Sequence, residues 1–275
     1  MEYVVDQDTH TAEMNERLRM ETGWDDVAVG LGRILLGYVV FIIGTAIGVT
    51  LVLASAYGWL FGDGARAGRT PSVSVMWQFY IGVGILSIIG TFGYLIIMAG
   101  QWRCLHGAAE RFGARWLMFF CLTALFAGPA INVASYIGGV QRYPDLKKGY
   151  SSLNQVQFTV TGRHMQFAGA GATALYTVFF ILFLRAVARC HDSQRHVTLA
   201  NIALLMVIGL IAATVYVGYL AFKGELVPEE SITSDPRLWV FGGWVFLFLF
   251  YLYLIGSLRG CIRASLARVR SPLDM

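Results

Sequence analysis

Long runs without a charged side chain constrain this chain more than any other feature of its sequence. Six such runs occur, and each is about as long as, or longer than, the roughly 20 residues with which an α-helix crosses a bilayer. They cover residues 34–62, 70–102, 116–141, 165–184, 197–222 and 238–258. A soluble helix of this length would carry a polar face that interrupts the run. The runs therefore predict six membrane-spanning helices.

Composition supports a membrane protein made of helices. Hydrophobic residues make up 56% of the chain and charged residues only 14%, against roughly 25% charged residues in an ordinary soluble domain. Lipid cannot hydrogen-bond to the backbone, so a spanning structure is either a helix or a closed barrel. Barrel strands alternate polar and apolar residues with a period of two, and these runs do not. The predicted fold class is all-α, a polytopic transmembrane helical bundle of about six spans.

The positions of Lys and Arg predict the orientation. Of the 21 Lys and Arg residues, 13 fall in the amino tail, the second and fourth loops and the carboxyl tail. The positive-inside rule then places both termini in the cytoplasm, in a multi-pass protein of a bacterial inner membrane. The predicted parts are an acidic cytoplasmic N-terminal tail at 1–33, a six-helix transmembrane domain at 34–265 and a short cytoplasmic C-terminal tail at 266–275.

Arginines gather at the predicted cytoplasmic helix ends. Two pairs have i, i+4 spacing, which places both guanidinium groups of a pair on one helix face. Such a pair suits bidentate contact with phosphate, and general anchoring to the anionic leaflet explains it as well. Membrane lipids are therefore expected partners, and nucleic acid is not. The arginine rim, predicted to contact lipid headgroups or an anionic partner, consists of Arg103, Arg185, Arg189, Arg259 and Arg263.

Glycines inside the first two spans predict close helix packing. Gly44 and Gly48 form a G-x-x-x-G step. Lipid gives helices no hydrophobic drive to associate, so small residues that let backbones approach supply the contact through van der Waals packing. Contact within the chain is the favoured interpretation, and a homo-oligomer or a contact with another protein is the alternative.

Gly128, Pro129 and Asn132 form a candidate helix break in the third span. Proline removes a backbone donor and frees a carbonyl, which a solute or a neighbouring group could then engage. A static kink that neighbouring helices satisfy is the commoner outcome.

Cysteines and histidines fall at the predicted cytoplasmic helix ends. Soft ligands of this kind suit zinc or copper, but no C-x-x-C or H-x-x-x-H spacing occurs among them. Ordinary packing is therefore favoured, and neither a metal nor a cofactor is expected. The residues concerned are Cys104, His106, Cys190, His191 and Cys261.

The second loop carries a resemblance to known proteins. Gly100, Gln101, Trp102, Arg103, Cys104 and Leu105, followed by Phe112, Gly113, Ala114, Arg115 and Trp116, resemble the same region of uncharacterised multi-pass membrane proteins of planctomycete-type bacteria. The resemblance implies a multi-pass topology and no particular activity.

The functional prediction follows mainly from what the spans omit. None of the six runs contains Asp, Glu, Lys, Arg or His, whereas ion-coupled carriers and proton pumps bury such groups near the midplane. No catalytic residue is identified, which makes an enzyme the less favoured class without deciding the question. The chain is predicted to be a structural or accessory subunit of a membrane complex. The alternative is a channel or facilitator for a small solute, lined by Gln78, Thr123 and Asn132.

Overall fold

The computed structural model describes residues 3–61, 73–107, 113–142, 160–223 and 235–270. Over these residues the chain forms six helices and no strand. Every helix contains a stretch that is long and apolar enough to cross a membrane, which confirms the predicted fold class. In chain order the helices are α1 Tyr3–Phe61, α2 Val73–Gly107, α3 Ala114–Arg142, α4 Val160–Cys190, α5 Gln194–Lys223 and α6 Pro236–Arg270.

Helix α1 begins far earlier than the first predicted span. It runs without interruption for 59 residues from Tyr3, and its candidate span is Thr22–Leu51. The stretch that precedes residue 34 contains no proline, and its isolated glycines weaken a helix without ending it. Charges mark where a segment leaves the hydrocarbon, which is a different boundary from the end of the helix. The helix therefore has no break at residue 33, where the tail was predicted to end.

Local capping explains where α4 ends and where α6 begins. At the end of α4, Asp192 adopts a positive φ of 50°. Its N–H donates to the Arg189 carbonyl, and the Ser193 N–H donates to the Ala188 carbonyl, the two bonds of a Schellman motif. Asp235 caps α6 by accepting the Arg237 N–H at 2.8 Å, with proline at the first helical position, where no donor is needed.

The chain divides into two compact units, Asp25–Cys104 and the combination of Met1–Trp24 with Leu105–Met275. In the unit Asp25–Cys104, α1 and α2 run antiparallel and meet at glycines. A Cβ atom placed on Gly30 would lie 2.6 Å from the Gly100 carbonyl oxygen, and one on Gly37 would lie 2.7 Å from the Gly93 carbonyl oxygen. No side chain fits in so small a gap, so the two backbones are in direct contact.

The other unit is built mainly from α3 to α6. Helix α4 is its centre, since it packs extensively against α3, also against α5, and at fewer points against α6. Phe179 stacks on Phe120 of α3 with ring centroids 5.5 Å apart, and Phe180 meets Tyr251 of α6 at 5.3 Å. The fully buried side chains around these contacts are large and apolar: Phe180, Ile181, Phe183, Leu184, Leu254, Ile255, Leu258 and Ile262.

The helix faces that point away from these contacts are also apolar. Trp239 and Leu205 are 73% and 70% exposed, and every helix has at least one further exposed Phe, Ile, Val or Leu side chain. Exposed apolar surface on this scale is unfavourable in water. It fits hydrocarbon as the surrounding solvent, as the lengths of the spans already indicate.

Candidate functional site

A polar cluster lies around the turn between α4 and α5, and we call it the turn network. It consists of Trp24, His191, Ser193, Arg195, His196, Tyr253, Ser257 and Ser265. All eight residues belong to the unit that contains α3 to α6. The two tight bonds of the Schellman motif reverse the chain within three residues, so the end of α4 and the start of α5 lie side by side against α6.

His196 is the centre of the turn network. Its side chain is 7% exposed, and both ring nitrogens have a hydroxyl partner. Nδ1 lies 2.6 Å from Oγ of Ser193, the residue that caps α5, and Nε2 lies 2.9 Å from Oγ of Ser257 on α6. A neutral imidazole offers one donor and one acceptor, and a hydroxyl can act as either, so every polar atom of this trio is satisfied. The trio joins the start of α5 to α6.

His191 makes a second contact between the turn and α6. The Ser265 hydroxyl donates to the Ile262 carbonyl at 2.8 Å, so its oxygen is left to accept from Nδ1 of His191, 3.3 Å away. In this arrangement the proton of neutral His191 is on Nδ1, and Nε2 is a bare acceptor. Nε2 is buried and has no hydrogen-bond partner among the residues that the structure describes. The Trp24 ring packs against the imidazole, with centroids 4.4 Å apart in an edge arrangement.

Burial sets the charge state of His191. Desolvation lowers the pKa of its imidazole below the ordinary 6.5, and the nearby Asp192 carboxylate opposes this to a smaller extent. His191 is therefore neutral at pH 7, in agreement with a buried Nε2 that lacks a partner.

Arg195 is the cation of the turn network. Its Nη2 atom donates to the Tyr253 hydroxyl at 3.2 Å across the outer side of the α5 and α6 contact. Among the described residues it forms no ion pair. Sequence reasoning missed Arg195 because the rim was drawn from arginines that follow the second, fourth and sixth spans, whereas Arg195 precedes the fifth.

Within the unit that contains α3 to α6, the two arginine pairs of the rim point to different sides of their helices. On α4, Arg185 and Arg189 follow Phe180, which contacts α6, by five and nine residues, so they point about 140° and 180° away from α6. On α6, Tyr251 contacts α4, and Arg259 and Arg263 are turned about 80° and 120° from it. Ser257, which contacts α5, is turned about 120° from Tyr251 in the opposite sense. The two pairs therefore occupy separate surfaces.

Within the described part of the chain, the Nε atoms of Arg185 and Arg259 are buried without a hydrogen-bond partner. Arg103 belongs to the unit Asp25–Cys104, where its Nη1 atom lies 4.0 Å from the Asp26 carboxylate. With both of those side chains about half exposed, such a pair contributes at most about 1 kcal/mol. Lipid or anionic contact by the rim remains a prediction.

The predicted helix break does not end α3, and the predicted glycine step lies against α2. Helix α3 continues past Pro129 to Arg142, Pro129 is exposed, and Gly128 has open space where a side chain would be. The side chain of Asn132 lies outside the described part. Gly44 and Gly48 both face α2, and a Cβ on Gly48 would lie 2.8 Å from Cβ of Leu86.

The four cysteines form no disulfide. Cys104 and Cys121 are buried, and each thiol lies near a backbone carbonyl: Sγ of Cys104 is 3.7 Å from the Val27 oxygen, and Sγ of Cys121 is 3.8 Å from the Tyr176 oxygen. Cys190 and Cys261 are half-buried. Over the described residues, no three His, Cys, Asp or Glu side chains are grouped closely enough to hold a metal ion.

Comparison with known proteins adds no family to this description. No protein-family model, no curated protein and no solved structure matches the chain. The resemblance of the second loop to planctomycete-type membrane proteins therefore stays a prediction. The turn network and the packing of the helices are the features of the structure that bear on function.

Proposed function

We propose that the chain is a structural or accessory subunit of a membrane complex, in a bacterial inner membrane and with both termini in the cytoplasm. The observation that carries the proposal is the apolar core. Among the described residues, the nearly fully buried side chains are apolar except for Gln101 and His196, and His196 has both nitrogens hydrogen-bonded within the chain. A core of this kind holds helices together and offers no polar path for a solute.

The polar side chains of the trio and of Thr123 form hydrogen bonds between two helices or within one helix. The trio of Ser193, His196 and Ser257 joins α5 to α6. Thr123, which a solute path would need, is exposed, and its hydroxyl bonds to the Phe119 carbonyl of its own helix. This arrangement favours a scaffold over the alternative, a channel or facilitator that would pass close to Pro129.

Purification from native expression levels in a mild detergent tests the proposal. The mass of the particle and the proteins that remain bound after size-exclusion chromatography would be measured, with an unrelated six-span protein carrying the same tag as the control. A partner at fixed stoichiometry, absent from the control, is the expected result. A lone monomer or a homo-oligomer would contradict the accessory role, and solute flux into proteoliposomes would then test the channel alternative.

A further inference from the structure

The outer side of the contact between α5 and α6 carries a fixed cation at one end of two candidate spans. Arg195 is the second residue of the span Gln194–Leu220. Guanidinium has five N–H donors, of which the Tyr253 hydroxyl accepts one. Neither span, Gln194–Leu220 nor Pro236–Ala267, contains Asp or Glu. Asp192, in the turn three residues before Arg195, forms no ion pair with it among the described residues. The positive charge of Arg195 is therefore left for a group outside these two helices.

The position of this cation is determined by its neighbours. His196, the next residue, is held on both sides by Ser193 and Ser257. Tyr253 is one helical turn before Ser257 on α6, so the tyrosine that orients Arg195 and the serine that holds His196 share one side of that helix. A side chain held in this way loses less conformational entropy on binding than an arginine that extends freely into water.

Below the cation, the same side of the two helices is apolar and exposed. The helices are antiparallel, since His196 meets Ser257 while Leu210, further along α5, meets Gly243, which precedes Ser257 on α6. Ile202 of α5 thus lies at about the height of Leu249 of α6. Tyr253, Leu249, Phe246 and Ile202 are between 43% and 61% exposed. Tyr253 and Phe246 are seven residues apart, about 10 Å along the helix axis. An acyl chain is long enough to contact both side chains.

We propose that this seam binds an anionic phospholipid, with Arg195 and the Tyr253 hydroxyl as ligands of the phosphate and the exposed apolar side chains as the contact for an acyl chain. Charge complementarity selects the lipid class. Arginine matches a phosphate oxygen pair through parallel N–H donors. Because neither span offers a carboxylate to a choline or ethanolamine nitrogen, a headgroup without a cation is preferred over a zwitterionic one.

Native mass spectrometry of the purified full-length chain, titrated with phosphatidylglycerol, tests this assignment. Replacing Arg195 with glutamine is expected to weaken the binding of the first lipid about tenfold, which corresponds to about 1.4 kcal/mol. Tyr253→Phe removes only the hydroxyl and is expected to weaken it to a smaller extent. Arg237→Gln is the matched control, since it removes the same charge from an exposed position at the other end of α6, outside the arginine rim.

The assignment is overturned if Arg195→Gln binds phosphatidylglycerol as tightly as the original chain, or if Arg237→Gln weakens binding equally, which would indicate diffuse attraction. It is also overturned if inorganic phosphate displaces the lipid at equal concentration, because the acyl contact would then contribute nothing. Stronger binding of phosphatidylglycerol than of phosphatidylcholine, lost on changing Arg195, supports it. Equal melting temperatures for the three variants would show that each remains folded.

Discussion

Oγ of Ser257 lies 2.9 Å from Nε2 of His196, and this bond joins α6 to the first turn of α5. The two residues are 61 positions apart in the sequence. On its other side the same imidazole contacts Ser193, the cap of α5. The geometry of the cap and the contact between two helices therefore depend on one side chain.

Removal of the Ser257 hydroxyl should loosen the contact between α5 and α6. In Ser257→Ala, one ring nitrogen of the buried His196 loses its partner, and we expect a loss of about 1 kcal/mol in the free energy of unfolding. Unfolding by SDS in mixed micelles measures the difference. Thr198→Val is the control, because the Thr198 hydroxyl is exposed and bonds only to the Gln194 carbonyl of its own helix. Equal losses in both variants would count against an interhelical role for Ser257.

A methyl group at Gly30 should separate α1 from α2. A Cβ at this position would lie 2.6 Å from both the Gly100 oxygen and the Cys104 sulfur, and the backbone oxygen cannot move without displacing α2. We expect Gly30→Ala to lower the free energy of unfolding by about 1–3 kcal/mol. Gly84→Ala serves as control because no atom lies within 4 Å of its added Cβ. Helix propensity alone favours alanine at both sites, so a stabilised Gly30→Ala would refute the contact.

Stability should fall in mild acid partly through His191. Burial lowers the pKa of folded His191, so between the ordinary value of about 6.5 and the folded value the unfolded chain binds more protons. Stability is then unaffected above about pH 6.5, decreases as the pH falls below it, and stops decreasing below the folded pKa. His191→Gln, which does not titrate, should show a smaller difference in melting temperature between pH 7.5 and pH 5. An identical difference in the two proteins would contradict this prediction.

The cysteines should react with a polar maleimide in two classes. Cys190 and Cys261 are half-buried, whereas Cys104 and Cys121 are buried, and a thiol reacts only when the reagent reaches it. In the folded chain in mild detergent, we expect the first two to be modified before the other two, as followed by peptide mass spectrometry over time. Modification in SDS provides the reference in which all four react. Early modification of Cys104 or Cys121 would mean that the helix contacts around them open readily.

The six helices could be predicted because each depends on the local absence of charge over about 20 residues. The start of α1 could not be predicted in this way, because loss of apolar character and loss of helix are separate events. The glycine contacts were found only in part. Attention to the four-residue step of Gly44 and Gly48 missed the seven-residue spacing of Gly30, Gly37 and Gly44, which matches the spacing of Gly93 and Gly100 on the facing helix.

The turn network lies beyond what local pattern can show. Ser193 followed three residues later by His196 is visible in the sequence as a variant of a helix-capping pair. The partners Ser257 and Ser265 depend on how far α6 is shifted along α5, and this shift is set by tertiary packing. The approach of Leu210 to Gly243 helps to fix it. No spacing rule within one helix carries that information.

The glycines shared by α1 and α2 also determine which changes of length this helix pair can tolerate. Positions that face α2 recur every seven residues at Gly30, Gly37 and Gly44. Deletion of a single residue between two of them would rotate the remainder of α1 by about 100° and turn a side chain toward the backbone of α2. Insertion of seven residues would restore the facing positions. Only certain lengths of α1 therefore keep its glycines facing α2. The spacing of these glycines in the sequence reflects how the two helices are aligned.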